Sequence, residues 1–353
     1  MLARPNGPRH SVLVLTHALA LGLTVASIPS PAATAPIVSH AAPKPVADSV
    51  ERLDPVMNQL IPADATLEIL ATGFTWSEGP VWMPAQAQLV FSDVPENIAY
   101  RWREGKGVDI FLQPSGLTGA DEGSREPGSN GLELDAEGRL LLAQHGDRRI
   151  ARLEADGRSF RTLADRFEGR RFNSPNDLCV ARDGTVYFTD PPYGLGRDAK
   201  REIEFHGVYR LSPDGAVTLV TRELSRPNGI GLSPDETTLY VANSDNDRPV
   251  ILALDLRAGD ADGSSRVFFD GSRLKRRGAF DGLSIDDQGN LWATGPGGVL
   301  VITPDGRHVG TLLTGRATAN CCFGGPDGTT LFVTADDQLM RIRTNVRGRP
   351  TML

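Results

Sequence analysis

The chain has 353 residues, with 37 Lys plus Arg against 44 Asp plus Glu and a formal net charge of −7, a balance that argues against a polyanionic partner such as nucleic acid. Its three cysteines, Cys179, Cys321 and Cys322, have no CxxC or Cys/His spacing. They exclude a disulfide framework and a thiolate metal site, and read as small buried apolar side chains.

At the N-terminus, Arg4 and Arg9 precede an apolar stretch at 11–26, and small residues follow. That layout predicts an export signal over 1–27, and the run is short of the ~20 residues a bilayer span needs. The expected location is the periplasm or extracellular space, with no stable membrane insertion after cleavage. Residues 28–60 follow as a Pro/Ala-rich linker and N-terminal extension, too poor in large apolar groups over 28–47 to pack a core. The reading for that stretch is a tether, with a turn of helix near 50–60.

From about residue 61 to 345 no linker or composition break divides the chain, and one unit recurs. A polar residue opens it, small or apolar residues follow, a turn comes next, and an apolar run closes it. The openers are Glu78, Asn130, Asn176, Asn228, Asp281 and Asn320, successively 52, 46, 52, 53 and 39 residues apart. These intervals suit one four-stranded propeller blade per repeat better than a helical solenoid. Turn chemistry such as Asp183-Gly184 and Asp327-Gly328 separates the first two strands of a blade. Outer strands are predicted at 98–102 with 109–112, 150–153 with 160–163, 208–211 with 217–220, 250–254 with 266–269, and 299–302 with 309–312. The last blade stops at a third strand, 338–342, and the segment 66–71 is free to supply its fourth. The fold class is therefore all-β: a six-bladed propeller of four-stranded blades, closed by an N-terminal strand, with 346–353 as a tail.

Radial blades point equivalent innermost positions at one axis, so the six openers are expected to meet. One Glu, one Asp and four Asn are hard oxygen donors. They suit a divalent cation, Ca²⁺ first, with Mg²⁺, Mn²⁺ or Zn²⁺ as further occupants, Zn²⁺ normally preferring imidazole or thiolate. Turn formation by Asn-Gly and Asp-Gly is the competing explanation for any single copy. It does not explain Glu78, a poor turn former set among Trp76, Pro80, Val81 and Trp82.

Five ordered segments then carry a resemblance: EGPVW at 78–82, NSPNDL at 173–178, YFTDPPYG at 187–194, RPNGIGLSPD at 226–235 and FDGLSID at 280–286. Over roughly 66–343 the chain resembles the senescence marker protein/gluconolactonase/luciferin-regenerating enzyme family, and within it the bacterial gluconolactonases. The resemblance implies a cation in the channel and hydrolysis of sugar lactones or related esters. It places the metal-binding residues at Glu78, Asn228 and Asp281, with Asn176 on metal or substrate.

A cation polarising the lactone carbonyl, with Asp281 as general base for the attacking water, is the expected mechanism. Activation of the water by the cation alone competes with it, since a coordinating carboxylate is a weaker base. Substrate contacts are expected from Asn176, Asn130, His145, Arg226 and Tyr193. Asp190 in Asp-Pro-Pro reads as part of a rigid turn, His206 as structural, and Asn320 as uninvolved in catalysis. A phosphotriesterase or arylesterase activity on the same ion is the alternative enzyme reading, and a non-catalytic binding scaffold the alternative class. The small-molecule partner is a lactone, and the chain is expected as a monomer or dimer.

Overall fold

Second strands of the repeats read as continuous apolar runs because sheets cover both of their faces, whereas a half-solvated strand would alternate. The computed structural model, which describes residues 37–120, 123–256 and 265–349, bears this out: Gln88–Asp93, Leu140–Gln144, Val186–Asp190 and Leu291–Gly295 are buried at every position. Outer strands such as Gly107–Leu112 and Ser265–Asp270 are mostly half-buried or exposed.

Among the described residues, six antiparallel sheets of four or five strands follow one another in chain order. We number them as blades by their first strands: Ser77–Met83 (blade 1), Ser129–Leu134 (2), Leu178–Val180 (3), Pro227–Leu232 (4), Leu283–Ile285 (5) and Thr318–Gly324 (6). Each first strand touches the next, and that of blade 6 touches that of blade 1, so the ring is closed around an axis lined by first strands. Six apolar clusters fill the six gaps between neighbouring blades. Between blades 6 and 1, for example, Trp82 stacks on Phe332 at 5.6 Å and 8°, beside Phe74, Phe91 and Tyr100.

Blade 6 is completed from the other end of the sequence. Glu68–Thr72 pairs antiparallel with Gln338–Arg343 in the register Gln338 with Thr72 and Arg341 with Glu68. Over part of the stretch read as a tether the structure differs. Val38–Pro45 forms a further strand on Glu68–Thr72, and Val50–Arg52 a fifth strand on His308–Leu313 of blade 5. Strand addition at an edge needs backbone hydrogen bonds and little apolar surface, and prolines are tolerated there, so composition alone hid it. The short helix Met57–Leu60 is held by Arg52, whose guanidinium bonds the carbonyls of Met57, Ile61 and Pro62. The export signal read over 1–27 lies outside the described residues.

The polar tail also has a structural role. Past Arg343 the chain crosses one mouth of the axis: Asn345 N donates to Leu60 O, Asp287 N to Arg347 O and Arg349 N to Ile285 O. Arg349 then bonds Glu236 Oε1 at 2.8 Å and Val180 O at 2.7 Å, tying blades 3, 4 and 5 together. Beneath this strap lies a cavity of about 530 Å³ reached by all six first strands, with Trp82, Glu133, Cys179 and Cys322 in its wall. Arg349→Ala is expected to cost about 1–3 kcal/mol, read as a lower melting temperature, because the Val180 carbonyl loses the guanidinium and the part-buried Glu236 carboxylate is left with the Arg182 N–H.

Candidate functional site

The openers stand at or just before the start of the first strands, at one level of the ring. Glu78, Asn130, Asn176, Asn228 and Asn320 are each at most 5 % exposed, and Asp281 keeps partial exposure. Backbone bonds lock neighbouring openers together: Gly131 N donates to Asn176 O at 2.7 Å, Gly229 N to Asp281 O at 2.9 Å, and Gly282 N to Ala319 O at 2.7 Å. Hydroxyls on the second strands reinforce them, Ser92 Oγ donating to Asn130 O and Thr189 Oγ1 to Asn228 O.

This explains the glycine that follows most openers. A Cβ on Gly131 would lie 2.5 Å from Asp177 Oδ1, one on Gly229 2.2 Å from Asp281 O, and one on Gly282 2.0 Å from Asn320 Cγ. Those three glycines have no positive φ. They make room for the next blade rather than turning the chain, so turn formation does not account for the motif. Gly79 does both, with φ +45 and a Cβ position 2.0 Å from Asn130 O.

Charge at this level is unbalanced. Glu78 accepts from the Trp76 indole at 3.3 Å and from Gly79 N at 3.1 Å. Among the described residues neither Glu78 nor Asp281 has a Lys or Arg within ion-pair distance. Burial, then the neighbouring Asp177, pushes Glu78 well above the usual carboxylate range. Burial, then the charges of Glu78 and Asp177, does the same to Asp281, with the Asn228 amide opposing. The Asn176 Oδ1 oxygen is buried without a hydrogen-bond partner. A buried orphan acceptor beside unpaired carboxylates fits a hard cation. Among the described residues no group of three or more His, Cys, Asp or Glu side chains forms a metal cage, so amide oxygens would have to complete the set.

Asp177 was not singled out from the sequence. It is 6 % exposed, and burial pushes it up to about 7. Its Oδ2 lies 3.4 Å from Asn320 Nδ2. Blades 3 and 6 are opposite in a ring of six, so this contact spans the axis and floors the site above the strapped cavity. One signal was available: Glu78, Asn130, Asn228, Asp281 and Asn320 are followed by Gly or Cys, and only Asn176 by an acid. Glu126 was also missed. Its Oε2 stands 3.6 Å from His145 Nδ1.

His145 is fully buried, with Nε2 3.5 Å from Asn176 Nδ2, and burial lowers it to about 3, leaving the imidazole neutral. The Tyr193 hydroxyl is pushed up to about 12, mainly by burial, and faces Ser244, Asp281 and Asn228. Arg226 is exposed at the rim, its N–H donating to Asn243 Oδ1. Asp190 accepts from Asn173 N at 2.8 Å and braces a turn, and His206 bonds Ser225 O.

Residues 76–337 match the SMP-30/Gluconolactonase/LRE-like region. The chain belongs to that family. It is 41 % identical over 313 residues to a gluconolactonase of Zymomonas mobilis, covering 85 % of this chain and 87 % of that one. A pentonolactonase of Haloferax volcanii is 25 % identical over 270 residues, covering 75 % and 83 %. A solved structure of a gluconolactonase from Xanthomonas campestris superposes with a TM-score of 0.77 at 35 % identity, over 87 % of this family member and 98 % of its own chain.

Proposed function

We propose that the chain is a divalent-cation-dependent hydrolase of sugar lactones, in line with the lactonases it is similar to. The observation that carries this reading is the pair of carboxylates, buried Glu78 and partly exposed Asp281, with no Lys or Arg within ion-pair distance among the described residues and an unpartnered amide oxygen on Asn176. Glu78, Asn176, Asn228 and Asp281 would hold the ion, with Ca²⁺ first by donor chemistry. When bound, it supplies Lewis-acid polarisation of the lactone carbonyl and charge for the developing oxyanion.

The protein's own groups supply the rest. Trp76 and Gly79 fix both oxygens of Glu78, so that carboxylate is oriented before any ligand arrives. Asp281 keeps an accessible edge and takes the proton of the attacking water at a carboxylate oxygen. Asn130, His145, Tyr193 and Arg226 are assigned to the lactone's hydroxyls. Neutral His145 is suited to hydrogen bonding rather than to carrying charge.

Turnover of glucono-1,5-lactone, paraoxon and phenyl acetate, each with and without chelator, tests the proposal. Lactone hydrolysis that vanishes with chelator and returns with Ca²⁺ is the expected result. Paraoxon or phenyl acetate as the better substrate would favour phosphotriester or aryl ester chemistry. No turnover of any of the three would favour a binding scaffold.

A further inference from the structure

The Asn176 amide can offer a ligand either its oxygen or its NH2, and a neighbouring group decides which. The backbone of Asn176 is pinned on both sides, its N–H donating to Thr189 O at 2.8 Å and its carbonyl accepting from Gly131 N at 2.7 Å. Only the side chain is left to turn, and its nitrogen meets His145 Nε2 at 3.5 Å. That imidazole is held in place. His145 is fully buried, its N–H donates to Gly128 O at 3.1 Å, and a Cβ on Gly194 would lie 2.6 Å from the His145 Cβ, so the loop after Asp190 presses directly on it. At the other ring nitrogen, Nδ1, stands Glu126 with Oε2 at 3.6 Å. The second oxygen of that carboxylate faces Arg125 Nε at 3.8 Å. The segment is fixed by Arg125 N, which donates to Gly194 O at 3.0 Å, and by the bridge between Ser124 and Leu195.

We propose that Glu126 is a positioning residue: by accepting a hydrogen bond from His145 Nδ1 it fixes the imidazole tautomer, and the imidazole in turn directs the Asn176 amide oxygen to the cation. A neutral imidazole has one nitrogen that donates and one that accepts. A carboxylate at Nδ1 only accepts, so the proton sits there and Nε2 keeps its lone pair. Nε2 then takes a hydrogen bond from the Asn176 NH2, and Oδ1, which has no hydrogen-bond partner, is the end left for a ligand. With the tautomer reversed, Nε2–H would confront the NH2, and the amide would turn and offer N–H groups to the ion. Outer partners of this kind set metal affinity by about 10–100-fold. The inference rests on the cation-dependent reading above and refines the part given there to His145: with both ring nitrogens engaged, it bears on the substrate through Asn176. A purely electrostatic contribution from Glu126, whose charge reaches Glu78 and Asp281, predicts a different pattern, and two substitutions separate them.

Calorimetric titration of Ca²⁺ into the full chain, beside nitrogen NMR of isotope-labelled histidine, provides the test. In the wild type the His145 ring, assigned by the loss of its signals in His145→Gln, should be protonated at Nδ1 and not at Nε2. Glu126→Ala should shift that ring toward the opposite tautomer and weaken Ca²⁺ binding about tenfold or more, with kcat for glucono-1,5-lactone returning as the cation saturates. Glu126→Gln, whose amide carbonyl still accepts from Nδ1, should keep the tautomer and lose less than about threefold in affinity. Equal losses in the two variants would show that charge is what counts and overturn the proposal. So would an unchanged affinity in Glu126→Ala, or a wild-type His145 protonated at Nε2. A wild type that binds Ca²⁺ but turns over no lactone fails the functional reading alone, whereas one that binds none of Ca²⁺, Mg²⁺ and Mn²⁺ fails both.

Discussion

Asp281→Asn lowers kcat for glucono-1,5-lactone about 10²–10³-fold even at saturating cation, the loss typical of removing a positioned acid–base or transition-state charge. Glu78→Gln behaves differently: its cation affinity falls, and added cation recovers most of the turnover. The distinction follows from where each carboxylate stands. Glu78 is buried, and both of its oxygens are held by Trp76 and Gly79, so the contribution proposed for it is charge and geometry at the ion. Asp281 keeps an accessible edge near Tyr193 and Asn228, where a water can give up a proton. The check is a cation titration of each variant by calorimetry beside its kcat at saturation. An Asp281→Asn variant with full cation occupancy and near-normal turnover removes the base assignment and leaves activation of the water to the ion.

Gly79→Ala is expected to be strongly destabilising. The residue sits at φ +45, where an L side chain is strained, and its Cβ would lie 2.0 Å from the Asn130 carbonyl oxygen of blade 2. Neither contact can relax by a rotamer change, because the obstacle is backbone. Strain and overpacking together should cost about 3 kcal/mol or more, a fall in melting temperature of about 5–10 °C. Cation affinity should fall with it, since Gly79 N also holds Glu78. An unchanged melting temperature would show that blades 1 and 2 are not held as tightly as their spacing requires.

Much of this was readable in the chain. Six polar openers at blade spacing gave the number of blades, and the unpaired run around Leu67 to Ala71 lay where the last sheet lacked a strand. What the sequence withheld has physical reasons. Val38–Pro45 adds to an edge through its backbone, which composition does not record. Asp177 contributes by reaching across the axis to Asn320, 143 residues away, a proximity that no local pattern carries. The glycines after the openers were ambiguous for the same reason: a turn glycine and a glycine that admits another blade's carbonyl look alike until the neighbouring blade is present.

The seam in blade 6 bears on how the molecule is made. Its outer strands leave the ribosome first and its inner three last, so that sheet cannot exist until nearly the whole polypeptide has emerged. Until then the early strands wait with apolar faces and unpaired edges toward solvent, beside a blade 1 that still lacks its neighbour. Nascent chains of this protein should therefore depend on chaperones that shield such edges, and a stop codon shortly before Gln338 should yield aggregates rather than a five-bladed fragment.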